Sequence, residues 1–160
     1  MRFVKISKSN FNLALKIAYL CFKSKKERAD IRFWYREMIK GKFKNDLSRL
    51  EYFIIYTSGP VGITGFYQRA GSRNEFWLGY FGIIPKERRK GIGSRAIKET
   101  MSYAKRKGCK TFRLWATSKK AEVFYKSYGF KKGMPEKYYI YNGKKYKYWL
   151  NPSFYYKGIS

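Results

Sequence analysis

The 160 residues suffice for one domain with a real core, and 37 lysines and arginines against 10 aspartates and glutamates give a formal charge of +27. No run approaches the roughly 18 apolar residues of a membrane span, and the N-terminus lacks the apolar segment of a signal peptide. Two cysteines, Cys21 and Cys109, are too few for a disulfide scaffold, so a reduced, cytoplasmic setting is expected; separately, the absence of histidine excludes imidazole chemistry.

In chain order, Phe3 to Ser7 alternates and predicts a first strand. Ser9 or Asn10 can cap a helix with Phe11, Ala14, Leu15, Ala18 and Phe22 on one face. A second helix carries Ile31, Trp34, Tyr35 and Met38 at helical spacing and ends at Gly41. Gly41 to Arg49 is polar and reads as a loop. Tyr52 to Thr57 and Val61 to Arg69 are strands about a Ser58-Gly59-Pro60 turn, and a long strand runs from Glu75 to Ile84.

After Pro85 come a basic, glycine-rich turn and a helix with Ile92, Ala96, Ile97, Met101 and Ala104 facing inward, ending at Gly108. Thr111 to Thr117 is a strand, Lys119 to Tyr128 a helix closed by Gly129, and Phe130 to Tyr141 is extended. Asn142-Gly143 predicts a tight hairpin turn returning along Lys144 to Leu150. The tail, 151–160, is expected to be loosely ordered, with Phe154, Tyr155 and Tyr156 available to cover an edge or to serve a partner.

The turn Arg88-Arg89-Lys90-Gly91-Ile92-Gly93-Ser94 is the most informative stretch. Free backbone N–H groups at the positive end of a helix dipole bind phosphate. No Walker-type loop is present. Gly91, Gly93 and Ala96 formally meet a dinucleotide fingerprint, but six residues separate the preceding strand from Gly91, and the next strand ends in Thr117-Ser118 without the acidic residue that would hold a ribose.

Taken as R-x-x-G-x-G from Arg88 to Gly93, after Ile83-Ile84-Pro85, the stretch resembles the acetyl-CoA-binding motif of the GNAT superfamily of N-acetyltransferases. Ala121-Glu122-Val123-Phe124-Tyr125-Lys126-Ser127-Tyr128-Gly129-Phe130 is similar to the family's later A-x-x-F-Y-x-x-x-G-F segment. Residues 83–96 and 121–130 carry the likeness specifically, within a single N-acetyltransferase domain over 1–160. The resemblance implies an α/β (α+β) fold: a mixed, mostly antiparallel, seven-stranded sheet with helices on both faces, splayed between its fourth and fifth strands where acetyl-CoA sits.

It further implies that the main chain of Phe81, Gly82 and Ile83 runs beside the pantetheine arm, an N–H here (that of Ile83) facing the thioester oxygen. Amides from Arg89 through Lys90, Gly91, Ile92 and Gly93 to Ser94 would hold the diphosphate, with Arg88 adding charge. Tyr125 holds the position of the general acid, and a positive surrounding would draw its phenol down towards the thiol. The glutamates that some relatives use as base fall on Trp77 and Arg113, so neither is available. Glu75, on the same strand face as Trp77, is the remaining candidate. Ser118 replaces an asparagine that helps bind CoA in many relatives. No metal is expected.

The leading expectation is transfer of acetyl from acetyl-CoA to a primary amine by direct attack. The alternatives are a basic RNA-binding module on this scaffold, or an RNA- or ribosome-directed acetyltransferase, since a field of this sign attracts polyanions. On charge alone the acceptor is expected to be anionic or RNA-associated rather than polycationic; a homodimer is compatible with the sequence, and no membrane partner is expected.

Overall fold

A computed structural model describes residues 1–41, 47–133, 138–141, 144–147 and 153–159. The chain runs β1 (Arg2–Lys5), α1 (Phe11–Cys21), α2 (Lys25–Lys40), β2 (Leu47–Tyr56), β3 (Pro60–Arg69), β4 (Glu75–Leu78), β5 (Gly82–Ile83), α3 (Ile92–Arg106), β6 (Thr111–Ala116), α4 (Lys119–Ser127), β7 (Lys131–Lys132), β8 (Tyr138–Tyr141), β9 (Lys144–Lys147) and β10 (Ser153–Gly158). The main sheet is ordered β1-β2-β3-β4-β6-β10-β7, with β5 also pairing β3. Every pairing is antiparallel except that of β4 with β6.

Period-two alternation divides the side chains between two layers. Phe66, Phe76, Leu78, Phe112 and Leu114 join Ile97, Met101 and Ala104 of α3 and Tyr125 of α4 in one core cluster. Tyr52, Ile54 and Ile63 point the other way, against Ala14, Leu15 and Ala18 of α1 and Ile31, Tyr35 and Met38 of α2. The helices start and stop where the sequence indicates. Ser24 accepts the Glu27 N–H at the start of α2, and Gly41 ends it in the left-handed conformation, φ 67°.

Three expectations are corrected. The long strand over Glu75–Ile84 is two strands, with register against β3 slipping by one residue between Leu78, opposite Phe66, and Gly82, opposite Ile63. β2 begins at Leu47, within the segment read as a loop; 42–46 lie outside the described residues. The tail is not loose, because Ser153–Gly158 is β10, paired along its whole length with β6.

The expected hairpin pairs β8 with β9, apart from the main sheet; its turn, 142–143, and last residues, 148–150, lie outside the described residues. The reason is side-chain chemistry. A strand beside β6 needs apolar groups on both faces, and Phe154 and Tyr155 supply them, 5% and 0% exposed. Lys144–Lys147 brings three lysines and cannot. With β4 and β5 taken as one bulged strand, the main sheet has seven strands, β10 among them.

Candidate active site

The pairing of β4 with β6 stops early. Glu75, Phe76 and Trp77 sit opposite Thr111, Phe112 and Arg113, and no pair continues beyond them. From Leu78 onward the strand follows β3 alone, so a gap opens between β5 and the upper part of β6.

The break in the strand has a local cause. Gly65 and Gly79 clear a slot for the Tyr52 ring: a Cβ on Gly65 would lie 2.2 Å from Tyr52 Cδ1, and one on Gly79 2.6 Å from the Tyr52 hydroxyl. The Gly79 N–H bonds the Gly65 carbonyl at 2.8 Å, and the Tyr52 hydroxyl accepts from the Tyr80 backbone. Tyr52 therefore clamps the bulge. Beyond it the Ile84 N–H turns to the Val61 carbonyl of β3 at 2.9 Å. Amides alternate along a strand, so the Ile83 N–H points away from β3, into the gap. The Ile83 carbonyl, on that same side, accepts from Arg88 Nε at 2.8 Å.

Across the gap stands α4. Its Phe124 ring stacks on Phe81 at 6.3 Å and 21°, and Tyr125 packs edge-on to Phe124 and Phe130. Tyr125 is 7% exposed and its hydroxyl makes no hydrogen bond among the described residues. Burial pushes this phenol well above its ordinary range, opposite to the expectation that surrounding charge would draw it down.

The loop leading to α3 is built from the main chain. After a 3-10 turn at Pro85–Glu87, Arg89 and Gly91 both adopt the left-handed conformation, φ 63° and 72°, and α3 begins at Ile92. The Arg88 N–H is taken by Pro85 and the Arg95 N–H by Gly91. Between them, among the described residues, the six amides of Arg89 to Ser94 have no acceptor. Gly91 is needed for its positive φ. Gly93 answers to something else: a Cβ there would stand 3.7 Å from Ile83 and 3.9 Å from Phe124. The protein would tolerate that side chain, which would instead fill the space between loop and gap.

The remaining expected residues separate into two groups. The Arg88 guanidinium turns inward, to the Ile83 carbonyl and, at 3.5 Å, to the Cys21 carbonyl that ends α1; it ties the loop down rather than facing outward with it. Lys90 pairs with Glu87 at 3.1 Å. Ser118 caps α4, its oxygen accepting the Ala121 N–H at 3.2 Å. Glu75 does not join the gap. It sits at the zipped end of β4, held by Arg113 at 2.8 Å, with the Arg113 guanidinium 5.6 Å above the buried Trp77 ring.

Other groups at the gap escape a motif search. Cys21 and Phe22 press against Gly82, where a Cβ would lie 2.8 Å from Cys21 Cβ. Burial pushes the Cys21 thiol up to about 12, and Arg88 draws it only partly back, so it carries no thiolate at neutral pH. Tyr80, in the bulge, meets Phe22 edge-on at 5.4 Å and donates to Asp30 of α2 at 3.5 Å. Only Gly79 beside Tyr80 hinted at this in the sequence.

The family model of the GNAT acetyltransferases matches residues 13–130. None of the curated proteins matches the chain. Among solved structures, a GNAT-family protein from Desulfovibrio desulfuricans superimposes with a TM-score of 0.76 at 12% identity, covering 99% of each chain. The PaiA N-acetyltransferase of Thermoplasma acidophilum, in complex with coenzyme A, gives 0.65 at 15% identity over 98% of each chain. A GNAT acetyltransferase of Elizabethkingia anophelis with acetyl-CoA bound gives 0.61 at 16%, over 90% of this chain and 89% of that one. At such identities these likenesses speak for the fold, and the matched model covers most of the chain: it belongs to the GNAT family of acetyltransferases and is an acyltransferase.

Proposed function

We propose that the chain is an N-acetyltransferase that uses acetyl-CoA and acetylates a primary amine by direct attack. One observation carries the reading: six consecutive amides, Arg89 to Ser94, have no acceptor among the described residues at the N-terminus of a fifteen-residue helix, beside strands that part. Free amides and the helix dipole together suit a diphosphate. The space a Gly93 side chain would fill suits its approach.

In this reading the pantetheine arm lies along Phe81–Ile83 as an added strand, filling the place β6 leaves open. The Ile83 N–H donates to the thioester oxygen, and the charge on Arg88, bonded to the Ile83 carbonyl, supports that donor. The amine nitrogen attacks the carbonyl carbon, the C–S bond breaks, and the sulfur takes its proton from Tyr125. The nitrogen releases one proton to water and the phenol recovers one, leaving amide and free thiol. A phenol held protonated by burial is a proton donor throughout the neutral range. Cys21, beside Gly82 but held as a thiol, gives no support to a covalent acyl-enzyme.

Calorimetric titration with acetyl-CoA, together with thiol release in the presence of amines, tests the reading. Micromolar binding is expected. A folded protein that binds no acetyl-CoA at high micromolar concentration would refute it. No geometric feature among the described residues favours the RNA-binding alternative.

A further inference from the structure

Eight carboxylates lie among the described residues, and six of them are held by a lysine or arginine: Glu37, Glu51, Glu75, Glu87, Glu99 and Glu122. In a chain with 37 such cations, only Glu27 and Asp30 have no ion pair among the described residues. They are also neighbours, one helical turn apart on α2, at the head of the stripe that continues inward as Ile31 and Tyr35. Both act on a single group at the gap, the Tyr80 phenol. Asp30 accepts its hydrogen bond at 3.5 Å, and after burial the charges of Asp30 and then Glu27 push it up further.

The nearest arginines are occupied elsewhere. Arg28 gives its guanidinium to the Phe22 and Tyr19 carbonyls, both at 2.9 Å, and Arg88 serves Ile83 and Cys21. Lys23 is exposed on the turn between α1 and α2, and Lys25 and Lys26 are exposed on the first turn of α2. A second polar group lies close to the same phenols: the Tyr35 ring packs on Tyr52 at 5.1 Å. Tyr35 is fully buried, its hydroxyl has no hydrogen-bond partner among the described residues, and burial first, then the nearby Tyr52, Cys21 and Tyr80, push its phenol up. Glu27 gains something as a first-turn carboxylate at the α2 dipole, but Asp30, a turn further in, does not share that explanation.

We infer that Glu27 and Asp30, with Tyr80 and Tyr35 beside them, form the acceptor pocket for a cationic amine: a small diamine, one end of which they hold as an ammonium while the other, as the neutral amine, reaches the thioester. The inference rests on the acetyltransferase reading and names its substrate class. Tyr80 precedes Ile83 by three residues, at most about 10 Å of chain, so a short alkyl chain spans from one to the other. The expectation from net charge was the reverse. However, the +27 field is screened beyond about 8 Å at physiological salt, whereas the two carboxylates would touch the ligand.

Three amines built on five carbons separate the possibilities: 1,5-diaminopentane, pentylamine and 5-aminopentanoate carry a cationic, neutral or anionic tail on the same reacting group. With acetyl-CoA, kcat/KM should fall in that order, by at least about tenfold from first to last, a step of 1.4 kcal/mol. Asp30→Asn with Glu27→Gln should erase the preference for the diamine, while Glu99→Gln, which removes one charge elsewhere, should leave it intact. An equal or reversed order in the native chain, or a preference that survives both changes, would overturn the inference. Calorimetry with 1,5-diaminopentane in the presence of coenzyme A supplies a readout without turnover; no binding at 10 mM, on the order of 10,000 times a micromolar dissociation constant, would overturn it equally. Failure of acetyl-CoA itself to bind would strike the underlying reading instead, and the diamine titration on the free protein would still decide this one.

Discussion

The two halves of one strand, Glu75–Trp77 and Gly79–Ile83, differ in what lies on their β6 side. The first half is zipped to β6, its aromatic rings buried between layers and its one carboxylate locked to Arg113. The second half follows the same β3 partner but turns the Ile83 amide to an empty edge, with Tyr52 holding the bulge that separates the two. Buried side chains and satisfied amides make the first half a source of stability. Unsatisfied amides in a fixed direction make the second a place for a ligand's polar groups. The same logic separates the paired carboxylates from Glu27 and Asp30.

The largest expected effect comes from attacking the clamp itself. Gly65→Val should destabilise the fold by about 3 kcal/mol, because the new Cβ meets Tyr52 and also the Glu51 carbonyl, at 2.5 Å, which cannot move aside. Denaturant unfolding measures this; a loss under about 1 kcal/mol would show that the slot is not tight. Next, Tyr125→Phe should lower kcat by about 100-fold while acetyl-CoA affinity stays unchanged, as expected for a lost proton donor. Equal turnover would remove Tyr125 from that role.

Arg88→Ala should weaken acetyl-CoA binding by about 30-fold, since two hydrogen bonds tethering the loop are lost, each worth about 1 kcal/mol. Glu75→Gln completes the comparison with the smallest change. It breaks a partly exposed ion pair, should cost no more than about 1 kcal/mol of stability, and should leave kcat unaltered. A large fall in kcat would return Glu75 to the chemistry.

pH sharpens the picture further. The phenols of Tyr35, Tyr52, Tyr80 and Tyr125 are all raised by burial above their unfolded value of 10.0. Above that pH the unfolded chain releases protons that the folded chain retains. The stability is therefore whole below pH 10 and declines as pH rises past it. Cys109, raised from 9.0 to about 11, begins this decline a unit earlier. Urea midpoints between pH 8 and 11 that did not fall would contradict the burial of these groups.

Much of this was readable in the chain because it is local. Arg88 to Ser94 encodes a loop-to-helix turn through residues whose backbone preferences act where they stand, and the periodicity of α1 to α4 follows from burial of one face. What escaped was non-local. Sheet order depends on which of two late segments suits a site apolar on both faces, and a segment expected to be loose, Ser153–Gly158, won over the lysine-rich hairpin. The bulge depends on two glycines that face one ring from different strands. The role of Arg88 could not be seen because its acceptors, Ile83 and Cys21, come from separate elements. Glu27 and Asp30 stand out only once the partners of the other carboxylates are known.

Hydrogen–deuterium exchange resolved to single amides, with and without acetyl-CoA, tests the central claim most directly. Slowed exchange is predicted at Arg89 to Ser94 and at Ile83, with Glu75 to Trp77 unaffected because their ladder is already closed. Tight binding of acetyl-CoA that left those seven amides exchanging as before would contradict the account.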